Sequence, residues 1–137
     1  MAFDPVTDYP LGVRRPDLVT TPSGLGLDEV TLAAARDGAL DAFDVRATAE
    51  TLQLQAEVAR IAGRRQLADG LERAAELTRV PDEDVLAIYT ALRPGRSTAD
   101  ELEACAARLD ELGAPRNAAL VREASSAYHA RGLLAYG

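Results

Sequence analysis

From Asp28 onward, the apolar positions of this 137-residue chain recur at three- and four-residue intervals. That spacing is the mark of amphipathic helices, and no run of two-residue alternation long enough for a sheet interrupts it. Asp28 predicts the N-cap of a short helix through Arg36, with Gly38 as its stop. A second helix is expected over 48–62. Its apolar residues fall in two rows, Leu52, Ala56 and Ala59 in one and Leu54, Val58 and Ile61 in the other. Two apolar faces place it in a sandwich, either inside this domain or against a partner. A third helix is expected over 65–78, with Leu67, Leu71, Ala74 and Leu77 as its inner stripe. Pro81 restarts the chain, and Asp82, Glu83 and Asp84 suit the positive end of the next helix. That helix carries Val85, Leu86, Ile88, Tyr89 and Leu92 and stops before Pro94. Thr98 and Glu101 form a capping box for a helix that turns Leu102, Cys105, Ala106, Leu109 and Leu112 inward. Gly113 ends it. Pro115 opens a last helix lined on one side by Leu120, Ala124, Ala127 and Tyr128. The tail over 132–137 is expected to fray, and no internal repeat stands out.

Residues 1–27 follow a different pattern. Pro5, Pro10, Pro16 and Pro22 interrupt helix formation, and Gly12, Gly24 and Gly26 add turn positions. Phe3, Tyr9, Leu11, Val13, Leu18 and Val19 nevertheless offer apolar side chains. Such an arm either lies on another surface or folds back over its own domain. The expected architecture is all-α: a small bundle of about five to six helices over 28–137, preceded by an extended Pro-rich arm over 1–27.

Composition narrows the function. The chain carries 22 acidic and 15 basic residues, a net charge of −7. It therefore makes a poor general partner for nucleic acid, and the pairs Arg14–Arg15 and Arg64–Arg65 are too short to change that. Every basic residue is Arg, so there is no lysine for a Schiff base or a phosphate-cradling loop. One Cys permits no intrachain disulfide. No apolar run approaches the ~18 residues of a membrane span. The first ten residues hold two Asp and two Pro without an apolar stretch, so no signal peptide is expected and the expected address is the cytoplasm.

Candidates for chemistry are few. His129, the single histidine, has Ser125, Ser126, Gly132 and Leu133 one helical turn away, none of them a catalytic or metal-binding companion. Cys105 falls mid-helix in an apolar stripe, where a thiol acts as a small hydrophobe. Asp82, Glu83 and Asp84 lack the alternating spacing and the glycine of a calcium loop. The stretch from Pro22 to Gly26 has neither a preceding strand nor a lysine and reads as a turn. No catalytic, cofactor-binding or metal-binding residue is assigned. The most informative stretch is Ala91-Leu92-Arg93-Pro94-Gly95-Arg96-Ser97. It joins two helices and presents two arginines on a tight turn, either as a solvated connector or as an ion-pair platform for a partner chain.

The stretch Pro81-Asp82-Glu83, then Leu86-Ala87-Ile88-Tyr89, then Ala91-Leu92-Arg93-Pro94 with Arg96-Ser97, resembles the small subunit of the adenosylcobalamin-dependent diol and glycerol dehydratases. Tyr9-Pro10-Leu11, Thr21-Pro22-Ser23-Gly24, Asp44-Val45-Arg46, Thr51-Leu52 with Gln55-Ala56, Arg73-Ala74-Ala75-Glu76-Leu77 and Val121-Arg122-Glu123 resemble it too. The blocks run in the family's order over nearly the whole chain. No single block is diagnostic; several in order, at near-matching spacing, are specific.

The resemblance implies a non-catalytic structural subunit of an enzyme that converts 1,2-diols such as propane-1,2-diol or glycerol into aldehydes by radical dehydration. It implies large and medium companion subunits in a dimer of three-chain units, with adenosylcobalamin held by those companions. The family usually has a bulky residue where Gly95 stands. Some of its small subunits carry an N-terminal amphipathic extension linked to bacterial microcompartments. This chain begins close to the common region, so free cytosolic residence is expected. The residues expected at the subunit interface are Tyr9, Leu11, Arg14, Arg93, Arg96 and Arg122. The alternative reading is a free-standing helical adaptor or regulator. An autonomous small enzyme is disfavoured, because no paired catalytic residues are in view.

Overall fold

A computed structural model of the chain describes residues 2–136. Seven α-helices lie among them, with no strand beyond an isolated bridge between Thr20 and Gly26. The all-α expectation holds. Five helices run ten residues or longer: α3 (Ala49–Ile61), α4 (Arg65–Leu77), α5 (Asp82–Ala91), α6 (Ala99–Glu111) and α7 (Pro115–Arg131). Two are short, α1 (Leu11–Arg14) and α2 (Leu32–Arg36). The chain divides between Thr78 and Arg79 into two compact units.

The first unit opens on turns where an extended arm is expected. α1 is followed by a 3₁₀ turn at Pro16–Leu18 and another at Leu27–Glu29. Pro10 and Pro16 explain the first two, because proline can start a short helical turn but not continue inside one, and Glu29 accepting from the Gly26 N–H at 2.8 Å closes the third. Arg15 fastens the segment by donating to Asp8 at 3.0 Å and Asp17 at 2.8 Å. The helix expected over 28–36 is split. Thr31, not Asp28, caps α2 by accepting from the Ala34 N–H. Thr21 and Asp44 are buried, and Ser23 links them: the Thr21 hydroxyl meets Ser23 Oγ at 3.0 Å, and Ser23 donates to Asp44 Oδ1. Asp44 also accepts from the Asp41 N–H at 3.1 Å, so one carboxylate ties the 20–26 loop to the 41–44 turn.

Helices α3 and α4 form a hairpin whose core is Ala56, Ala59 and Ala68, with Leu71 packed against it. Small side chains let two helix axes approach closely, which displaces the larger leucines to the flanks. The inner stripe of α4 is therefore not the expected one. Ala68 and Ala75 are buried, whereas Leu67 is 48% exposed.

In the second unit, α6 and α7 form a second hairpin around Leu102, Ala106 and Leu109 on one helix and Asn117, Ala118 and Val121 on the other. The α7 stripe is again shifted from the expected one, with Leu120 exposed and Ala118 and Val121 inside. The capping box at Thr98 and Glu101 is present in full.

The two hairpins follow one plan, a repeat the sequence does not announce. Thr48 and Thr98 cap helices of 13 residues each. Gly63 and Gly113 end them at φ +76° and +75°, a left-handed conformation that suits glycine. Behind each glycine the chain folds back through one bond, Arg64 N–H to Ala59 O and Ala114 N–H to Leu109 O, both 2.8 Å. The buried alanines correspond as well, Ala56 to Ala106 and Ala68 to Ala118. So does an inter-helix ion pair, with its signs exchanged: Arg60 to Glu72 at 2.8 Å in the first hairpin, Asp110 to Arg122 at 2.9 Å in the second. Each landmark of the second hairpin follows its counterpart at the same interval.

Candidate functional site

The turn between α5 and α6 is the most distinctive surface of the second unit. Arg93 and Arg96 are both exposed on it, and among the described residues neither guanidinium has a side-chain partner. The backbone beneath them is held from two sides. Tyr128 on α7 donates its hydroxyl to Leu92 O at 2.6 Å, and buried Ser97 donates to Ala91 O at 2.8 Å. The segment after α7, expected to fray, instead brackets the turn. The Gly95 N–H donates to Leu133 O at 2.7 Å, and the Ala135 N–H donates to Ser97 O at 2.8 Å. Backbone groups seek partners wherever water is displaced, and the turn supplies them. Gly137 lies outside the described residues.

On α5 itself, Val85, Ile88 and Leu92 are half-buried, while Leu86 and Tyr89 are 66% and 71% exposed. These two stand three residues apart on one face. Sequence reasoning named both among the apolar residues of this helix without assigning them a face. The signal that could have separated them is the spacing: Val85, Ile88 and Leu92 follow one row, and Leu86 and Tyr89 lie beside it in a second.

The other expected interface residues divide. Tyr9 is 60% exposed and lines an open groove of about 440 Å³ with Val58, Ala59, Ala62, Leu67 and Leu71. The second apolar row of α3 thus contributes Val58 to this groove, while Ile61 is exposed. Arg14 is exposed at the end of α1. Leu11 is buried in the fold of the chain itself. Arg122 is engaged within its hairpin, its fork donating to Glu103 at 2.8 Å and its other terminal nitrogen lying 2.9 Å from Asp110. The same pairing holds the Glu103 carboxyl below the usual carboxylate range.

His129 is exposed near the end of α7. Cys105 is half-buried, and burial, with a smaller push from Glu101, raises its thiol pKa, which leaves it a poor nucleophile. Asp84 accepts both nitrogens of the Arg108 fork, at 3.0 and 3.1 Å. Among the described residues no group of three or more His, Cys, Asp or Glu is placed to hold a metal ion. The groove beside Tyr9 is open and mainly apolar, with Gln55 and Arg64 also on its wall. No helix among the described residues is long and apolar enough to cross a membrane.

Asp44 has a measurable signature. The Ser23 hydroxyl and the Asp41 N–H, outweighing burial, hold its carboxyl below the usual range. A depressed folded-state pKa gives stability that is present above the unfolded value and lost as pH falls through the folded one. Asp44→Asn is therefore expected to melt below the wild type near neutral pH, with the gap closing as the medium becomes acid. A gap independent of pH in thermal melts would contradict this.

Exposed large apolar side chains, and two exposed arginines without a side-chain partner among the described residues, are what this helical protein presents at its surface. The comparisons with known proteins give the family. A profile described as "Dehydratase small subunit" matches residues 5–135. The propanediol dehydratase small subunit of Citrobacter freundii is 52% identical over 124 residues, covering 90% of this chain and 72% of the relative. That of Salmonella typhimurium is 49% identical over the same lengths. The chain belongs to the dehydratase small-subunit family.

Proposed function

We propose that this chain is the structural small subunit of a coenzyme B12-dependent diol or glycerol dehydratase and contributes no catalytic group. It assembles with a large and a medium subunit, as a dimer of three-chain units, and the companions bind adenosylcobalamin and the diol. Cobalamin supplies the radical chemistry there; this chain binds and orients its companions. The assembly resides in the cytoplasm. The observation that carries the reading is 52% identity to a propanediol dehydratase small subunit over nine-tenths of the chain.

The composition of the core supports it. The buried apolar residues are mostly alanines, and Leu102 and Leu109 are the only large side chains fully buried among the described residues. Val6, Val13, Leu32, Phe43, Val45, Ile61, Leu86 and Tyr89 are all more than half exposed. Apolar surface on that scale suits a chain that buries it against companions. Tyr9, Arg14, Arg93 and Arg96 are the residues of the expected interface that remain presented.

The test is co-purification. The tagged chain is co-expressed with the large and medium subunits, and the eluate is assayed for aldehyde from propane-1,2-diol and from glycerol with added adenosylcobalamin. A stoichiometric three-chain complex whose activity disappears when this chain is omitted is expected. An active two-chain enzyme that leaves this chain behind would overturn the reading in favour of a free-standing adaptor.

A further inference from the structure

We infer that the outer face of α5 and the turn after it form one preorganised docking patch, and that the segment after α7 is its brace. The patch is Leu86, Tyr89, Arg93 and Arg96. Its occupant is a companion dehydratase subunit that presents carboxylates around an apolar pocket. The inference rests on the dehydratase reading above and names the surface through which that assembly forms.

Three observations carry it. First, the chemistry is that of an interface centre. Tyr and Arg dominate binding energy where they are desolvated together, and here exposed Leu86 and Tyr89 share one face of α5, with exposed Arg93 four residues after Tyr89 and exposed Arg96 on the same turn. Second, the charge selects the partner. The chain has an excess of acidic residues and commits Arg15, Arg60, Arg108 and Arg122 to carboxylates within its own units. Arg93 and Arg96 keep their forks open among the described residues, so a carboxylate surface is the matching occupant.

Third, the turn is held more tightly than a connector needs. Tyr128, Ser97, Leu133 and Ala135 fix it through four hydrogen bonds of 2.6–2.8 Å. Ordering a flexible loop at binding weakens association, so a turn fixed beforehand raises affinity without adding a contact. Tyr128 and residues 133–135 are thus positioning residues. They act through the turn and need not touch the companion.

The test uses the full chain and the co-expressed companions. Tyr89→Ala removes part of the patch. Tyr128→Phe and a chain ending at Gly132 remove parts of the brace. Each variant is checked for helicity and melting, then titrated against the companion subunits at two salt concentrations, with hydrogen exchange read at the Gly95 amide. Tyr89→Ala is expected to raise Kd roughly tenfold or more. Tyr128→Phe and the truncation are expected to raise it about threefold to tenfold with helicity kept, and to speed exchange at Gly95. Tyr128→Phe changes one oxygen, so it reports on the brace even where the truncated chain fails to fold.

Wild-type affinity in Tyr89→Ala and Tyr128→Phe, with the three-chain enzyme intact, would overturn this inference and leave the dehydratase reading standing. A wild-type chain that does not bind the companions would overturn both. Loss of self-association in Tyr89→Ala without any effect on companion binding would assign the patch to a second copy and overturn the proposed occupant.

Discussion

Leu109→Ala is expected to destabilise the chain by about 2–5 kcal/mol, in the upper half of that range. Leu109 is 1% exposed and is one of two large side chains fully buried among the described residues. Cutting it to alanine removes its transfer free energy and leaves a cavity, whose cost depends on how far neighbours can collapse into it. Among the other buried residues of the α6–α7 hairpin, Ala106, Ala114 and Ala118 have no side-chain torsion with which to fill space, which leaves Leu102, Val121 and Asn117 to adjust. Urea unfolding followed by far-ultraviolet circular dichroism measures the loss. Leu67→Ala is the control, since the same kind of truncation at a half-exposed position is expected to cost under about 1 kcal/mol. Equal losses at the two sites would refute the assignment of the core.

The double variant Arg93→Ala/Arg96→Ala is expected to fold as the wild type and to assemble poorly. Both side chains are exposed and make no ion pair among the described residues, so their removal leaves the fold's own contacts in place. In the proposed complex each would meet carboxylates as water is excluded. Loss of such a pair also leaves the partner's charge unmatched, which is why truncations of this type reach about 2 kcal/mol or more, on the order of thirtyfold in Kd. Titration against the large and medium subunits reads this directly. The wild-type Kd should weaken with added salt and the variant's should respond less, because screening acts on charges the variant lacks. Arg122→Ala makes a useful contrast. Its fork already serves Glu103 and Asp110, so its removal should loosen the α6–α7 hairpin before it affects assembly. Unchanged assembly of the double variant would remove both arginines from the interface.

The ends of the long helices were legible because their determinants are local. Thr98 with Glu101, Gly63 and Gly113 mark ends through bonds to backbone two to five residues away. The Arg-bearing turn was legible for the same reason. The repeat was not. Thr48 and Thr98, Leu52 and Leu102, Ala56 and Ala106, Gly63 and Gly113 and Ala68 and Ala118 coincide, but these are small or common residues. The surface positions differ, down to the exchange of Arg60 and Glu72 for Asp110 and Arg122, since an ion pair holds equally well with its charges swapped.

The sequence by itself determined an all-helical chain, the ends of its long helices, and the family, through blocks spread over its length. The inward face of α6 was legible in its own period, but tertiary structure alone decided which face of α4 and α7 is interior. Periodicity names an apolar face but not the neighbour's shape, and alanine contacts between paired helices turned Leu67 and Leu120 outward. Tertiary structure also decided the tail. A short segment with no period of its own has no local reason for order. Residues 133–135 gain it from backbone groups of a turn far away in sequence, which no local pattern encodes.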